Sequence, residues 1–184
     1  MHSGAPPAGL LDHCAGERRS LSVSVRTGIG YDSHRFAPGD AVRLGGVRIP
    51  HDHALEGHSD GDAVAHAITD ALLGAAGADD IGTLFPDSDP ANRGRDSLDM
   101  LRHAVAVLHA MGWAARNVDV VVVAEQPRIG PYRAAMRAAL APVLGMDAGD
   151  ISIKGKSNEG MGWIGRAEGI ACIAIATIAR AAAT

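Results

Sequence analysis

Aromatic residues are scarce in this chain. Two Phe, two Trp and two Tyr make up 3% of 184 residues, which excludes a surface built to stack exposed bases. Cysteine is as rare. Cys14 and Cys172 lie far apart and outside any Cys-x-x-Cys pair, so they support neither a disulfide framework nor a thiolate zinc finger, and a reducing, cytoplasmic setting is expected. Lysine is confined to Lys154 and Lys156, and the formal charge is -4. That balance excludes nucleic-acid binding by bulk positive charge. No uncharged apolar run is long enough to cross a bilayer, so no membrane partner is expected.

What is present is an ordinary globular inventory, 47% hydrophobic and 21% charged, at a length that suits one domain with its own core. The excess is in histidine and aspartate. Of nine histidines, His34, His51, His53, His58 and His66 fall close together, interleaved with Asp40, Asp52, Asp60 and Asp62 and preceded by Asp32. Imidazole and carboxylate at this density suit a divalent metal site, although a polar loop with surface histidines has the same composition.

Residues 1–22, rich in Gly, Pro, Ser and Ala and without an apolar h-region, read as a disordered extension and not a secretory signal. Residues 23–184 read as a single domain. VSVRTGIGYD is expected to form a strand ending in a tight loop, and VRLGGVRIP a hairpin turning at Gly45-Gly46. Residues 51–59 read as a polar loop. A helix is expected over 59–77, with Ser59 and Asp62 as a capping box, an apolar stripe of Val64, Ile68, Ala71, Leu72 and Ala75, and Gly77 as its stop. A long loop follows over 79–96. Further helices are expected over 96–111 and 131–144, and strands in NVDVVVVAEQP (ended by Pro127), DISIKGKS and the apolar run GIACIAIATIARAAA, the last of them central. Cys172 lies in that run and reads as core. The element order predicts an α+β two-layer sandwich, a mixed β-sheet with helices on one face.

Four constellations carry chemistry. Asp32 and His34 stand two apart at an expected strand end and so share a face. His66, on the helix, would complete three ligands with one position open, the pattern of catalytic zinc. Asp62 and Asp70, each four residues from His66, are candidates to bond its other ring nitrogen. A histidine merely satisfied by Asp70 is the structural alternative. FPDSD at 85–89 can hold hydroxyls or a cation, or be a solvated turn. KGKSNEGMGWIGRAEG at 154–169 combines Gly-rich backbone with Lys, Ser157 and Glu159. It suits phosphate oxygens and a hard cation such as Mg²⁺, but lacks the P-loop order, and a glycine-rich hairpin is the plain alternative. Together they describe a metal-assisted phosphate site.

GIGYDSHRF, LGGVRIP, HSDGDAVAHAITDALLGAAGADDIGTLFPDSD, NVDVVVVAEQP and GRAEGIA occur in this order and closely resemble the 2-C-methyl-D-erythritol 2,4-cyclodiphosphate synthase family, from about Val25 onward. The resemblance implies a lyase of the non-mevalonate route to isoprenoids. It would convert 4-diphosphocytidyl-2-C-methyl-D-erythritol 2-phosphate to the 2,4-cyclodiphosphate and CMP. It also implies a cytoplasmic homotrimer with an active site at each subunit interface, one Zn²⁺ per subunit and Mg²⁺ or Mn²⁺ with the diphosphate. Carried over by position, Asp32, His34 and His66 would hold zinc and Glu159 the second ion. His58 and Ser157 match the positions that stabilise the transition state, and Asp32, His34, His58 and Ser59 border the substrate. Asp80, Ile81, Gly82, Phe85, Pro86, Asp87, Ser88 and Asp89 match the methylerythritol-holding part. Ala124, Glu125, Gln126, Pro127, Arg128, Ile129 and Gly130, with Lys156, Ser157, Asn158 and Glu159, match the cytidine and diphosphate pocket. Trp163 and Arg166 match further substrate positions near the trimer axis, where an isoprenoid diphosphate is a ligand the resemblance leaves open. Where the family often has consecutive threonines this chain reads Lys156-Ser157-Asn158, and Trp163 stands where Phe also occurs. The departures imply altered affinity with activity kept. The length leaves no room for a fused cytidylyltransferase domain, so one activity is expected.

Two other readings share the composition. A zinc phosphoester hydrolase would need a basic carboxylate beside the open metal position, for which Asp60 and Asp62 are candidates. A non-enzymatic metal- or isoprenoid-binding trimer is the other.

Overall fold

The computed structural model describes residues 24–180. The expectation for residues 1–22 lies outside this range. Five strands form a mixed sheet in the order β4-β1-β7-β5-β6. They are β1 (Val25–Pro38), β4 (His53–Leu55), β5 (Trp113–Val123), β6 (Ile151–Lys156) and β7 (Gly169–Arg180). Strands β1 and β5 flank β7 antiparallel, and β6 runs parallel to β5. The apolar run of β7 is central, as expected, and Cys172 is fully buried in it. A separate hairpin pairs β2 (Ala41–Leu44) with β3 (Val47–Pro50). Its turn residues Gly45 and Gly46 have φ of 57° and 77°, which L side chains rarely adopt.

Three long helices cover one face: α1 (Ala63–Ala76), α3 (Ser97–Ala110) and α4 (Arg133–Leu144). Helix α1 is nearly all Ala, Leu, Val and Ile and ends at Gly77 in the left-handed conformation. The expected apolar stripe becomes burial on almost every side, because α1 lies between the sheet and α3. It sits close because β1 has no side chain at Gly28 and Gly30. A Cβ there would fall on the backbone carbonyls of Ala71 and Ala67. With so few aromatics, Leu44, Ile49, Ile68, Leu72, Leu101, Leu108, Leu140 and Ile170 fill the core.

Among the described residues nothing covers the other face of the sheet. Ile29, Tyr31, Ile173 and Ile175 are exposed on neighbouring strands, Ile29 at 69%. Several sequence expectations are corrected. Strand β1 runs to Pro38, so Asp32 and His34 lie within it and not at its end. The polar loop contains β4, and single-turn helices form at α2 (Ile81–Leu84) and α5 (Gly162–Gly165). Strand β5 is shifted to start at Trp113 and stops before Ala124, so Pro127 belongs to the following loop, with a cis peptide to Gln126. Among the described residues no helix is long and apolar enough to cross a membrane.

Candidate active site

Even-numbered side chains of β1 face α1, and the close helix–strand approach brings three donors together. His34 Nε2 lies 2.8 Å from Asp32 Oδ2. His66 Nδ1 lies 3.0 Å from the same oxygen and 3.2 Å from His34 Nε2. His34 is oriented by its Nδ1, which donates to the Glu56 carbonyl at 2.5 Å. The three ligand atoms lie within 4.8 Å of one another. Two imidazole nitrogens and a carboxylate oxygen, with both rings anchored at their far nitrogens, fit a borderline divalent ion with an open position. Burial acts to raise the Asp32 carboxyl, but hydrogen bonds from His34 and His66 outweigh it and hold it well below the usual carboxylate range. Burial acts to lower His34, and Asp32 overcomes this, so His34 titrates above its ordinary value.

The far nitrogen of His66 does not find Asp62 or Asp70, contrary to the sequence expectation. Asp62 is the N-cap of α1. Its carboxylate accepts from the backbone N–H of Val64 and Ala65 and also from Gly45 and Gly46 of the hairpin at 2.7 and 2.6 Å. Burial pushes its carboxyl up, against those N–H groups. Asp70 accepts from the Ile81 N–H at 2.8 Å, and burial raises it too. His66 Nε2 instead faces the hydroxyls of Ser59 (3.0 Å) and Ser97 (2.9 Å). Ser59 is therefore not the helix cap. Ser97, a lone serine opening α3, carried no motif signal.

His58 is exposed beside this cluster, its Nε2 3.9 Å from Asp87 Oδ2 in the long loop. That loop is anchored, not free. Asp80 caps α2 through the Thr83 N–H, which leaves Ile81 and Gly82 in the turn, and Asp89 caps a short turn at Pro90 through the Ala91 N–H. Phe85 is buried, with the Arg95 guanidinium 4.8 Å over its ring, so it holds the loop and Pro86, Asp87 and Ser88 remain exposed.

The second group forms a cavity of about 770 Å³ lined by Ala124–Pro131, Arg133 and Lys154–Ser157. Arg128, Arg133 and Lys156 make it cationic, as phosphates require, while the Lys154 ammonium is paired with Asp119 at 2.6 Å. Arg133 was missed by sequence reasoning, as an ordinary first-turn arginine. Ala124 and Ile129 are buried. Gly155 lets Ile129 close the floor, since a Cβ there would stand 2.9 Å from the Ile129 Cβ. Glu125 lines the cavity but accepts the N–H groups of Asn158 and Gly160 at 3.0 and 3.1 Å, so it shapes the loop. Asn158 donates to the Met161 carbonyl and is not among the lining residues. Ser157 Oγ donates to Glu159 Oε1 at 2.6 Å, with Glu159 at a φ of 51°. Trp163 on α5 is partly exposed, and Arg166 after it pairs with Glu168 at 2.7 Å.

The structure does not join the two groups within one chain. None of Asp32, His34 and His66 lines the cavity. Asp32 aligns across the sheet with Cys172, Val122 and Gly155, three strand spacings or about 14 Å away. They share one end of the sheet without sharing a cleft.

The YgbB family model matches residues 25–179. The chain is similar to a 2-C-methyl-D-erythritol 2,4-cyclodiphosphate synthase from Gemmatimonas aurantiaca, 60% identical over 158 residues, 86% of this chain and 95% of that protein. It is also similar to two solved structures. One is IspF from Plasmodium falciparum in a CDP complex, with a TM-score of 0.75 and 36% identity, covering 85% of this chain and 97% of that one. The other is the bifunctional IspDF from Campylobacter jejuni, with a TM-score of 0.83 and 36% identity, covering 86% of this chain and 43% of that one.

Proposed function

The chain belongs to the YgbB family and to the 2-C-methyl-D-erythritol 2,4-cyclodiphosphate synthases, and we propose how its residues carry that activity. The substrate is 4-diphosphocytidyl-2-C-methyl-D-erythritol 2-phosphate. Its 2-phosphate oxygen bonds to the β-phosphorus while the bond from that phosphorus to the CMP oxygen breaks, and CMP leaves with the electron pair. The attacking group is already anionic and no water is consumed, so the protein must position charges and neutralise them. The observation that carries this reading is the convergence of Asp32, His34 and His66 at the sheet end that also carries the cationic cavity.

Asp32, His34 and His66 would hold Zn²⁺, and Glu159 the Mg²⁺ or Mn²⁺ that accompanies the diphosphate. Bound there, the ions supply Lewis-acid neutralisation of phosphate oxygens. Arg128, Arg133 and Lys156 hold the diphosphate and CMP side, and the Ser157 hydroxyl, which donates to Glu159 in this structure, turns to donate to the transferring phosphate. His58 donates a hydrogen bond to the same phosphates. The loop from Asp80 to Asp89 holds the methylerythritol. The hydrolase reading lacks its base, because Asp60 and Asp62 are both committed to protein donors.

A homotrimer brings one subunit's metal cluster to the next subunit's cavity. The separation of the two groups in one chain and the bare apolar sheet face support this assembly. An isoprenoid diphosphate at its axis, near Trp163 and Arg166, and a cytoplasmic location belong to the same reading.

The test incubates purified protein with the diphosphocytidyl substrate and Mg²⁺ and follows CMP and the cyclic product. CMP and cyclodiphosphate in equal amounts are expected, with turnover suppressed at least about 10³-fold by zinc chelation or His66→Ala, the loss of several kcal/mol of charge stabilisation. CMP released without the cyclic product, or no CMP at all, overturns the assignment. A monomer by sedimentation overturns the shared site.

A further inference from the structure

The metal cluster has a buried support behind it. The His66 ring faces Asp32 and His34 with Nδ1. Its Nε2 lies 2.9 Å from Ser97 Oγ and 3.0 Å from Ser59 Oγ. Ser97 is fully buried at the start of α3. Its hydroxyl makes a short hydrogen bond to Asp60 Oδ1, and its backbone N–H donates to Asp60 Oδ2 at 3.3 Å. The Asp62 N–H and the Arg43 guanidinium, each at 3.3 Å, also reach the Asp60 carboxylate. Every group bonded to the Asp60 carboxylate is thus a donor.

A carboxylate has no proton to give, so the hydroxyl between it and the ring must spend its single proton on Asp60. Ser97 Oγ can then only accept from His66, which requires a proton on Nε2. Without metal, Nδ1 donates to the Asp32 carboxylate at 3.0 Å; a metal ion that takes the place of that hydrogen bond would meet the Nδ1 lone pair, with the ring proton already held on Nε2. Ser59 Oγ also accepts from the Gly61 N–H at 3.4 Å and lies 3.4 Å from Ser97 Oγ, to which its own proton can go, but no carboxylate fixes its direction.

We propose that Ser97 and Asp60 are positioning residues that lock His66 in its Nε2–H form and ring orientation and so set the affinity of the metal site. The relay ties the start of α3 and the segment before α1 to one ring. It rests on the reading of Asp32, His34 and His66 as metal ligands.

The test uses the full chain stripped of metal, with Zn²⁺ alone titrated against a chromophoric chelator. Ser97→Ala is expected to weaken zinc about 10–100-fold, the usual loss when a ligand's hydrogen-bond partner is removed. Asp60→Asn is expected to weaken it at least as much, because its amide can donate to Ser97 and turn that hydroxyl toward Nε2, moving the ring proton to Nδ1. Nitrogen-15 NMR of histidine should show a proton on His66 Nε2 in the wild type, with and without zinc, and its loss in Asp60→Asn. Wild-type zinc affinity in both Ser97→Ala and Asp60→Asn, or a wild-type His66 with no proton on Nε2, overturns the proposal. A wild type that takes up no zinc overturns the metal reading instead, and the NMR signal still decides whether the relay orients the ring.

Discussion

The two halves of the site are built to different standards of rigidity. Asp32 and His34 stand on a strand and His66 on a helix, and these elements meet so closely that β1 tolerates no Cβ at Gly28 or Gly30. The cationic cavity lies between the loop 124–131 and the last residues of β6, with Glu125 holding the following turn and Ile129 forming the floor. The difference follows what each half must grip. A divalent ion needs donors fixed within a few tenths of an ångström. A flexible nucleotide diphosphate can be met by long cationic side chains that adapt.

The largest break in that contrast should come from paired glycine substitutions. Gly30→Ala drives a methyl into the Ala67 carbonyl and should destabilise the protein by about 3 kcal/mol, the upper range for overpacking, with zinc affinity falling alongside. Gly155→Ala meets only the Ile129 side chain, which can shift, and should cost about 1 kcal/mol. Its main effect should be weaker CDP binding. Denaturant unfolding and calorimetry with CDP check both, and a larger stability loss at Gly155 would refute the proposed ordering.

A smaller effect separates chemistry from binding within the nucleotide half. Ser157→Ala should lower kcat roughly 10–100-fold, as loss of one hydrogen-bond donor to a transition state does. KM and zinc affinity should stay near wild type, and Ser157→Thr should recover most of the rate. Steady-state kinetics with a parallel zinc titration reads this.

The smallest effect concerns pH and belongs to the metal half. In metal-free protein the lowered Asp32 stabilises the fold above the ordinary aspartate value of 3.8, and this is lost as pH falls through its depressed value. The raised His34 stabilises below its ordinary 6.5, and this is lost as pH rises through its elevated value. The Tm of the metal-free protein should therefore fall by a few degrees between about pH 6 and pH 8. Zinc affinity should rise over the same interval, because the ligands bind deprotonated. Calorimetry and chelator competition should thus move in opposite directions, and His34→Gln should flatten the Tm trend.

The parts legible in the sequence are those with strong local signals. The apolar run of β7, the hairpin glycines and the long helices follow from residue patterning. The three candidate ligands stood out because Asp-x-His on a strand and His on a helix are chemically conspicuous. Strand β4 and helices α2 and α5 span only three or four residues each, too few for a periodic pattern, and their neighbours hold them in place. The choice between Ser59 and Asp62 as helix cap was not local either. Asp62 prevails because its carboxylate also gathers the hairpin N–H groups of Gly45 and Gly46, contacts that exist only after folding.

The sequence by itself determined which groups were available: a histidine- and aspartate-rich metal set, a glycine-rich cationic cradle, and apolar runs enough for one mixed sheet. Those are matters of residue chemistry and short-range periodicity. Only the tertiary structure decided that Asp62 and Asp70 serve the backbone and not His66. It alone seated Ser97 and Asp60 behind the ring and set the metal cluster about 14 Å across the sheet from the cavity. Hydrogen-bond partners in a buried site are chosen by which chain segments packing brings within 3 Å, and spacing along the chain does not carry that information.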